Sequence, residues 1–256
     1  MNKLIRKIFV IVLISAAFSA KGAIPAPDSL WYKANDAYAM GEYGNAAEIY
    51  RLIEKEGYVS SGLFYNMGNA YYKQGNKGKA ILYYEKALKL DPSNADIKTN
   101  LEIARLNTLD KIDVLPEFIL TTWIKDIRNM MSSNKWGYSS IIFLAITALL
   151  LIGYNFAPST GQRKFSFILA CVTLLLAVFS VLFAVNLRKN AGSQDYAVVM
   201  SPVGNVKSAP NATGNNLFIL HEGAKIEVLE KVGGWNRIEL SDGRQGWMQA
   251  SDMEII

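Results

Sequence analysis

The chain has 256 residues, of which 51% are hydrophobic and 19% are charged, and its formal net charge is +5. It contains one histidine, His221, and one cysteine, Cys171, so it can form neither an internal disulfide nor a Cys/His zinc site of its own. The net charge does not indicate nucleic-acid binding, because acidic and basic residues alternate over residues 27–107 as they do on solvated helix faces.

The N-terminus has the pattern of a secretory signal peptide. Three basic residues among the first seven precede an apolar run over residues 8–17, and small residues follow it. We therefore predict a signal peptide over residues 1–20, whose removal would lower the net charge from +5 to +2. The alternative is an uncleaved anchor helix.

Residues 27–107 carry a 34-residue period. Three pairs of residues recur at this interval: Gly41 and Gly75, Ala46 and Ala80, and Tyr50 and Tyr84. The unit over residues 61–94 resembles a tetratricopeptide repeat (TPR), a helix–turn–helix in which Pro92 ends the second helix. The unit over residues 27–60 is more degenerate and has Tyr58 where proline is expected. A third helix begins at residue 95 without a second helix after it, so we predict two repeats and a cap helix.

In this type of repeat the first helix of each unit lines a concave face that binds proteins or peptides. The residues predicted to form the partner-binding face are Trp31, Asn35, Tyr38, Tyr65, Asn69, Tyr72 and Lys73. We expect the asparagines to hydrogen-bond an extended peptide and the tyrosines to stack on its side chains; alternatively, several tyrosines pack between helices. Two and a half repeats form a marginal stack, so a partner or a neighbouring segment is expected to complete the core.

Residues 114–135 predict an amphipathic linker helix. Its apolar residues recur at helical spacing: Ile119, Trp123, Ile127 and Met130. Two interpretations remain open. The helix lies in a membrane interface, or it caps the last repeat helix by covering Ile97, Leu101 and Ala104.

Two uncharged apolar runs over residues 138–157 and 165–187 are each long enough to span a bilayer, and the seven residues 158–164 connect them. The pattern predicts a transmembrane hairpin. An even number of spans places the repeats and residues 188–256 on the same side of the membrane. If the signal peptide exports the repeats, both segments therefore lie in the periplasm. Arg163 and Lys164 in the predicted cytoplasmic loop agree with this orientation.

Residues 195–256 change to short strand patterns separated by turn signals such as Gly233-Gly234, which predicts a small all-β barrel. The motifs over residues 206–210 and 242–247 resemble those of a bacterial SH3 domain. Trp235 and Trp247 either pack in or beside the barrel or contribute to an exposed ligand surface. The predicted fold class is therefore a multidomain membrane protein with all-α TPR repeats, a transmembrane helical hairpin and a small all-β SH3-like barrel.

Catalytic patterns are absent from the sequence. His221 lies in an HEGA segment that lacks the second histidine of a zinc-protease motif, and no phosphate-binding loop or dinucleotide fingerprint occurs. We therefore expect a protein that is not an enzyme and that uses no cofactor and no metal.

The order of these segments resembles that of the E-type proteins of the Bat (Bacteroides aerotolerance) family. Asn100-Leu101-Glu102 after the last repeat and residues 132–136 before the predicted membrane spans add to this resemblance. The resemblance implies a Gram-negative inner-membrane protein that acts beside von Willebrand A-type Bat proteins and, indirectly, a MoxR-type ATPase in aerotolerance or envelope stress. Two functions remain open: a periplasmic scaffold that binds protein partners through its repeats, or an envelope sensor that binds peptidoglycan through its SH3-like domain.

Overall fold

A computed structural model describes residues 28–112, 115, 118–193 and 195–256. The predicted signal peptide lies outside the described residues. The described chain divides into two compact units. One comprises residues 28–127 together with residues 191–256, and the other comprises residues 128–190.

The first unit begins with five helices, and each packs against the next along the chain. They are α1 (Asp28–Ala39), α2 (Tyr43–Lys55), α3 (Ser61–Lys73), α4 (Lys77–Leu90) and α5 (Ala95–Leu106). The pairs α1–α2 and α3–α4 are the two predicted repeats. Helix α5 is the predicted cap helix, which is the first helix of an incomplete third unit.

The turns inside the two repeats have the same geometry. Gly41 and Gly75 both adopt a φ of 79°, a left-handed conformation that glycine reaches without steric cost. The Gly41 amide donates to the Tyr38 carbonyl and the Gly75 amide donates to the Tyr72 carbonyl, each at 3.0 Å. The degenerate first unit therefore folds as a repeat.

The turn between the repeats forms without the expected proline. Helix α2 ends at Lys55, Gly57 takes a φ of 88°, and the Tyr58 amide donates back to the Ile53 carbonyl at 3.3 Å. This is a common way to satisfy the last carbonyls of a helix, in which glycine supplies the left-handed residue. Ser60 then caps α3 by accepting from the Leu63 amide at 3.1 Å.

Small residues bring the helices of a repeat together. A Cβ atom added at Gly68 would lie 2.5 Å from Cδ1 of Tyr84, so only glycine fits against this ring. Ala34, Ala80 and Ala87 are fully buried at other close approaches. These contacts explain why the period is carried by glycine and alanine as well as by aromatic residues.

Residues 195–256, here called the β module, form one antiparallel sheet in the order β3-β2-β6-β5-β4-β1-β7. The strands are β1 (Tyr196–Val199), β2 (Gly204–Lys207), β3 (Asn216–Leu220), β4 (Lys225–Val232), β5 (Trp235–Glu239), β6 (Gln245–Gln249) and β7 (Met253–Ile255). Gly233 and Gly234 form the two-residue turn between β4 and β5, with φ values of 54° and 83°. Val206, Ile238 and Met248 are fully buried in the core, which confirms the predicted all-β SH3-like region.

The β module packs on α4 and covers the open end of the repeat stack. Val198 of β1 is buried in the same apolar cluster as the repeat helices. Gly223 lies so close to α4 that an added Cβ would be 2.9 Å from Cδ1 of Ile81. The Gly78 amide donates to Glu222 Oε1 at 2.8 Å. The neighbouring segment that completes the marginal stack is therefore the β module.

This packing corrects the capping interpretation of the linker helix. Ile97, Leu101 and Ala104 are buried within the repeat core. Helix α6 (Ile119–Arg128), by contrast, has no buried residue. It is also shorter than the helix predicted over residues 114–135, since α7 begins separately at Ser133.

The second unit is a hairpin of two helices, α7 (Ser133–Phe156) and α8 (Thr160–Ala191), which are both long and apolar enough to cross a membrane. Helix α7 begins before its predicted run and ends one residue short of it, whereas α8 begins five residues before its predicted run, so the connection is residues 157–159. Ser159 begins α8 by accepting from the Gln162 and Arg163 amides. Backbone hydrogen bonding thus begins the helix before its first long apolar residue, Phe165, which places Arg163 and Lys164 in α8.

The two helices of the hairpin meet through small and hydroxylated side chains. Thr147 and Thr173 hydrogen-bond through their hydroxyl oxygens at 2.7 Å. Ala170, Ala177 and Ser180 are buried along the same side of α8. Small residues at such intervals allow close helix packing in a membrane, where apolar side chains gain nothing from leaving the lipid.

Candidate functional sites

The predicted partner-binding residues lie on the first helices of the repeats. Trp31, Asn35 and Tyr38 lie on α1, and Tyr65, Asn69, Tyr72 and Lys73 lie on α3. Lys73 is exposed, and the other six side chains are half-buried. The fold thus places them at equivalent positions of two adjacent repeats, as the period requires.

Asn35 is held by two hydrogen bonds inside the stack. The Tyr50 hydroxyl donates to Asn35 Oδ1 at 2.6 Å, and Asn66 Nδ2 of the next repeat donates to the same oxygen at 3.4 Å. This oxygen therefore links the two helices of one repeat to the first helix of the next.

The same arrangement recurs one repeat later. The Tyr84 hydroxyl donates to Asn69 Oδ1 at 2.7 Å, and Asn100 Nδ2 donates to that oxygen at 2.9 Å and to the Tyr65 hydroxyl at 3.1 Å. The asparagine oxygens are thus engaged in internal bonds. These bonds assign Asn35 and Asn69 a positioning role that the sequence did not reveal.

The buried tyrosines of this network stay protonated. Burial raises the pKa of Tyr50 to about 12, and burial also raises the pKa of Tyr84. Both hydroxyls therefore remain hydrogen-bond donors to the asparagines throughout the physiological pH range.

Ring contacts hold the aromatic residues of the face in place. Trp31 packs edge-on against Tyr50 with ring centroids 5.8 Å apart, and Tyr65 packs against Tyr84 at 6.1 Å. Tyr38 contacts Tyr43 edge-on at 5.2 Å. Trp31, Tyr38 and Tyr65 therefore each pack against a neighbouring ring and present their remaining surface to solvent. These contacts support the packing of tyrosines between helices, and stacking on the side chains of a peptide stays a prediction.

The two tryptophans of the β module lie on the outer face of β5 and β6. Their neighbours Asn236, Ile238, Gly246 and Met248 point inward and are buried, so the alternation of the strands directs Trp235 and Trp247 outward. Both rings are half-buried. The Lys207 ammonium lies 5.9 Å from the Trp235 ring centroid. Trp247 pairs across the sheet with Lys207 and Arg237.

A second cationic and aromatic contact lies on the same module. The Arg244 guanidinium lies 4.9 Å from the Phe218 ring centroid. The hydrogen bond from Arg244 lowers the pKa of Asp242, so the turn before β6 keeps a fixed ion pair at 2.8 Å. Aromatic rings next to cations suit a ligand that combines apolar or sugar faces with carboxylates.

Comparison with known families identifies two segments of the chain. Residues 63–94 match the model of the tetratricopeptide repeat, and residues 202–254 match the model of the bacterial SH3 domain. The chain therefore contains a TPR and a bacterial SH3 domain, and the β module of residues 195–256 is called the SH3 domain below. The TPR indicates protein–protein interaction, and the bacterial SH3 domain indicates binding to the cell wall. No curated protein matches the chain.

The structure adds a repeat that the TPR match does not cover. Helices α1 and α2 repeat the glycine turn and the asparagine–tyrosine bond of α3 and α4. It also adds α5 to the concave face. Ile103 and Leu106 lie one period after Asn69 and Tyr72 and are 42% and 69% exposed. Extending the 34-residue period by one more repeat, from Asn69 and Tyr72, would have predicted these two residues from the sequence.

The histidine of the SH3 domain has a structural partner. His221 Nδ1 lies 2.8 Å from Asp110 Oδ1, and the His221 amide donates to Asp110 Oδ2 at 2.6 Å. The pair fastens the segment after α5 to the SH3 domain. Among the described residues, no group of three or more histidine, cysteine or acidic side chains could hold a metal ion.

Proposed function

We propose that this protein is a membrane-anchored adaptor of the bacterial envelope that binds a protein partner on the concave face of its TPRs. The observation that carries the proposal is the placement of the SH3 domain. It packs along one side of α4, at Gly78, Ile81, Glu85 and Lys89. These contacts do not involve the seven predicted partner-binding residues, which keep a half-buried or exposed face.

The concave face suits an extended segment that carries both apolar and acidic side chains. Tyr65 and Tyr72 provide aromatic surface held by internal contacts. Ile103 and Leu106 continue this face with aliphatic surface, and Lys73 adds an exposed positive charge. Rigid aromatic and aliphatic anchors beside a cation are the features that give such surfaces affinity and orientation.

Helices α7 and α8 support membrane anchoring by their length and composition. In the proposed topology they form two spans of the inner membrane, residues 1–20 direct export, and both the TPRs and the SH3 domain lie in the periplasm. The order of the segments further supports a place in a Bat-type aerotolerance or envelope-stress complex. Its partners would be von Willebrand A-type Bat proteins and, indirectly, a MoxR-type ATPase. The adaptor would act without catalysis, cofactor or metal.

Site-specific photocrosslinking in intact membranes tests the binding face. A photoreactive residue at Tyr72 or Leu106 should crosslink a discrete protein partner, whereas the same residue at Leu52, which is 50% exposed on α2, should not. Leu106→Asp should abolish the crosslink from position 72, and Leu52→Asp should leave it intact. Equal crosslinking from all three positions would contradict the proposed face.

Peptidoglycan binding by the SH3 domain is a second candidate function. The outward Trp235 and Trp247 rings beside Lys207 favour it, because aromatic faces stack on sugars and cations attract peptide carboxylates. The purified full chain should sediment with peptidoglycan sacculi. Trp247→Ala should release it, and Trp123→Ala, in α6, should not. Sedimentation that is unaffected by Trp247→Ala would remove this surface as the ligand site.

A further inference from the structure

Helix α6 has a continuous apolar face that is exposed to solvent. Six apolar side chains in and just after the helix are each at least 46% exposed: Ile119, Leu120, Trp123, Ile124, Ile127 and Met130. At 100° per residue they fall within an arc of about 140° on the helix. Thr121, Thr122 and Lys125 occupy the opposite arc, and Asp126 lies at the edge of the apolar arc, about 20° from Ile119. A soluble helix would bury such a face, but none of these side chains is buried.

The C-terminal end of α6 is tied to the helical hairpin. Its last residue, Arg128, accepts a hydrogen bond from Trp136 Nε1 at its backbone carbonyl, at 2.8 Å. The Arg128 guanidinium donates to Asn186 Oδ1 of α8, also at 2.8 Å. Four residues, 129–132, separate α6 from α7. Arg128, the last residue of α6, therefore lies beside the end of the hairpin at which α7 begins.

That end of the hairpin has the composition of a membrane interface. Trp136 contacts Phe183 with ring centroids 5.1 Å apart, so α7 begins where the apolar run of α8 ends. Arg188 and Lys189 follow in the last turn of α8. Tryptophan and basic residues concentrate at the level of lipid headgroups, where the ring spans the boundary and the cation meets phosphate.

We propose that α6 is an interfacial helix whose apolar face lies in the acyl-chain boundary of the bilayer that holds α7 and α8. The inference rests on the proposed membrane anchoring. The lipid surface is the occupant because the last residue of the helix bonds to Trp136 at the headgroup level and because its face is apolar over the whole length of about 15 Å. Arg128, Arg188 and Lys189 supply the positive charge that anionic headgroups attract.

Spin labels on the full chain in vesicles of phosphatidylethanolamine and phosphatidylglycerol test this inference. The native Cys171, exposed in α8, reports on the hairpin. In a Cys171→Ala background, Ile124→Cys reports on the apolar face of α6. Thr122→Cys is the matched control, because it lies two residues away and about 160° around the helix. Accessibility to oxygen, which enters the bilayer, is compared with accessibility to a water-soluble nickel chelate.

We expect the ratio of oxygen to nickel accessibility to be severalfold higher at position 124 than at position 122, with position 171 higher still. If position 171 lies in lipid but positions 122 and 124 are equally accessible to nickel, the anchoring holds and the inference fails. If position 124 is shielded from both reagents, a protein contact covers the face and the inference also fails. Nickel access at position 171 would overturn the anchoring itself.

Discussion

Lys225 of the SH3 domain donates a hydrogen bond to Glu85 of the second TPR, with 2.8 Å between Nζ and Oε2. Glu85 is 5% exposed, and its other carboxylate oxygen pairs with Arg105 of α5. A nearly buried carboxylate is costly unless it is paired. Here α5 and the SH3 domain each supply a cation to one carboxylate oxygen, so docking of the SH3 domain adds the second of two partners.

The first prediction concerns this ion pair. Glu85→Gln and Lys225→Met should each lower the free energy of unfolding of the docked unit by about 1–2 kcal/mol. This value lies below that of a fully buried pair because Lys225 is partly exposed. A double-mutant cycle should give a coupling of roughly 1 kcal/mol. Lys231→Met, an exposed position on the same strand, serves as control. Additive effects of the two substitutions would show that the contact contributes nothing.

The second prediction compares two glycine substitutions in helices. Gly68→Ala should destabilise the repeats by about 1–3 kcal/mol, because the new methyl group would overlap the Tyr84 ring. Gly44→Ala in α2 meets no atom within 4 Å and should stabilise by about 0.5–1 kcal/mol through helix propensity. Thermal unfolding of both variants checks the difference. Equal effects would mean that the close approach at Gly68 can relax.

The third prediction concerns alkaline pH. Burial raises the pKa of Tyr50 to about 12, above its ordinary value of 10. The unfolded chain therefore loses this proton first, and the stabilisation is complete below pH 10 and declines as the pH rises towards 12. Tyrosinate absorbance and circular dichroism of the full chain should change together in this range. Tyr50→Phe should weaken the pH dependence while costing the hydrogen bond to Asn35. Ionisation without any loss of helix would contradict the coupling.

The fourth prediction separates positioning residues from contact residues on the concave face. Asn69→Ala should destabilise the repeats by about 1–3 kcal/mol, because it leaves the Tyr84 hydroxyl without its acceptor. Lys73→Ala combined with Leu106→Ala should leave the melting temperature nearly unchanged and weaken partner binding at least tenfold. Unchanged affinity in the folded double variant would remove these two side chains from the site.

The fifth prediction concerns topology. Alkaline phosphatase fused after residue 110 or after residue 256 should be active, because both positions are proposed to be periplasmic. The same enzyme inserted at residue 158, in the connection between α7 and α8, should be inactive. Activity only at residue 158 would reverse the proposed orientation.

The local pattern of the sequence determined the elements of this protein. The 34-residue period predicted the TPR helices because glycine, alanine and tyrosine recur where helices must approach each other. The uninterrupted apolar runs predicted α7 and α8, and the turn signals predicted the strands of the SH3 domain. Each of these signals depends on neighbours within one repeat or one hairpin, so a single sequence contains it.

Only the tertiary structure decided how these elements meet. The SH3 domain meets the repeats through residues more than 130 positions apart in the sequence, as in the close approach of Gly223 to Ile81 and the hydrogen bond from Lys225 to Glu85. No periodicity of the sequence links such residues. The structure therefore assigned the covering of the stack to the SH3 domain and left α6 exposed. It also engaged Asn35 and Asn69 in internal bonds, because the hydroxyls that need these acceptors, Tyr50 and Tyr84, reach them only after the helices have paired.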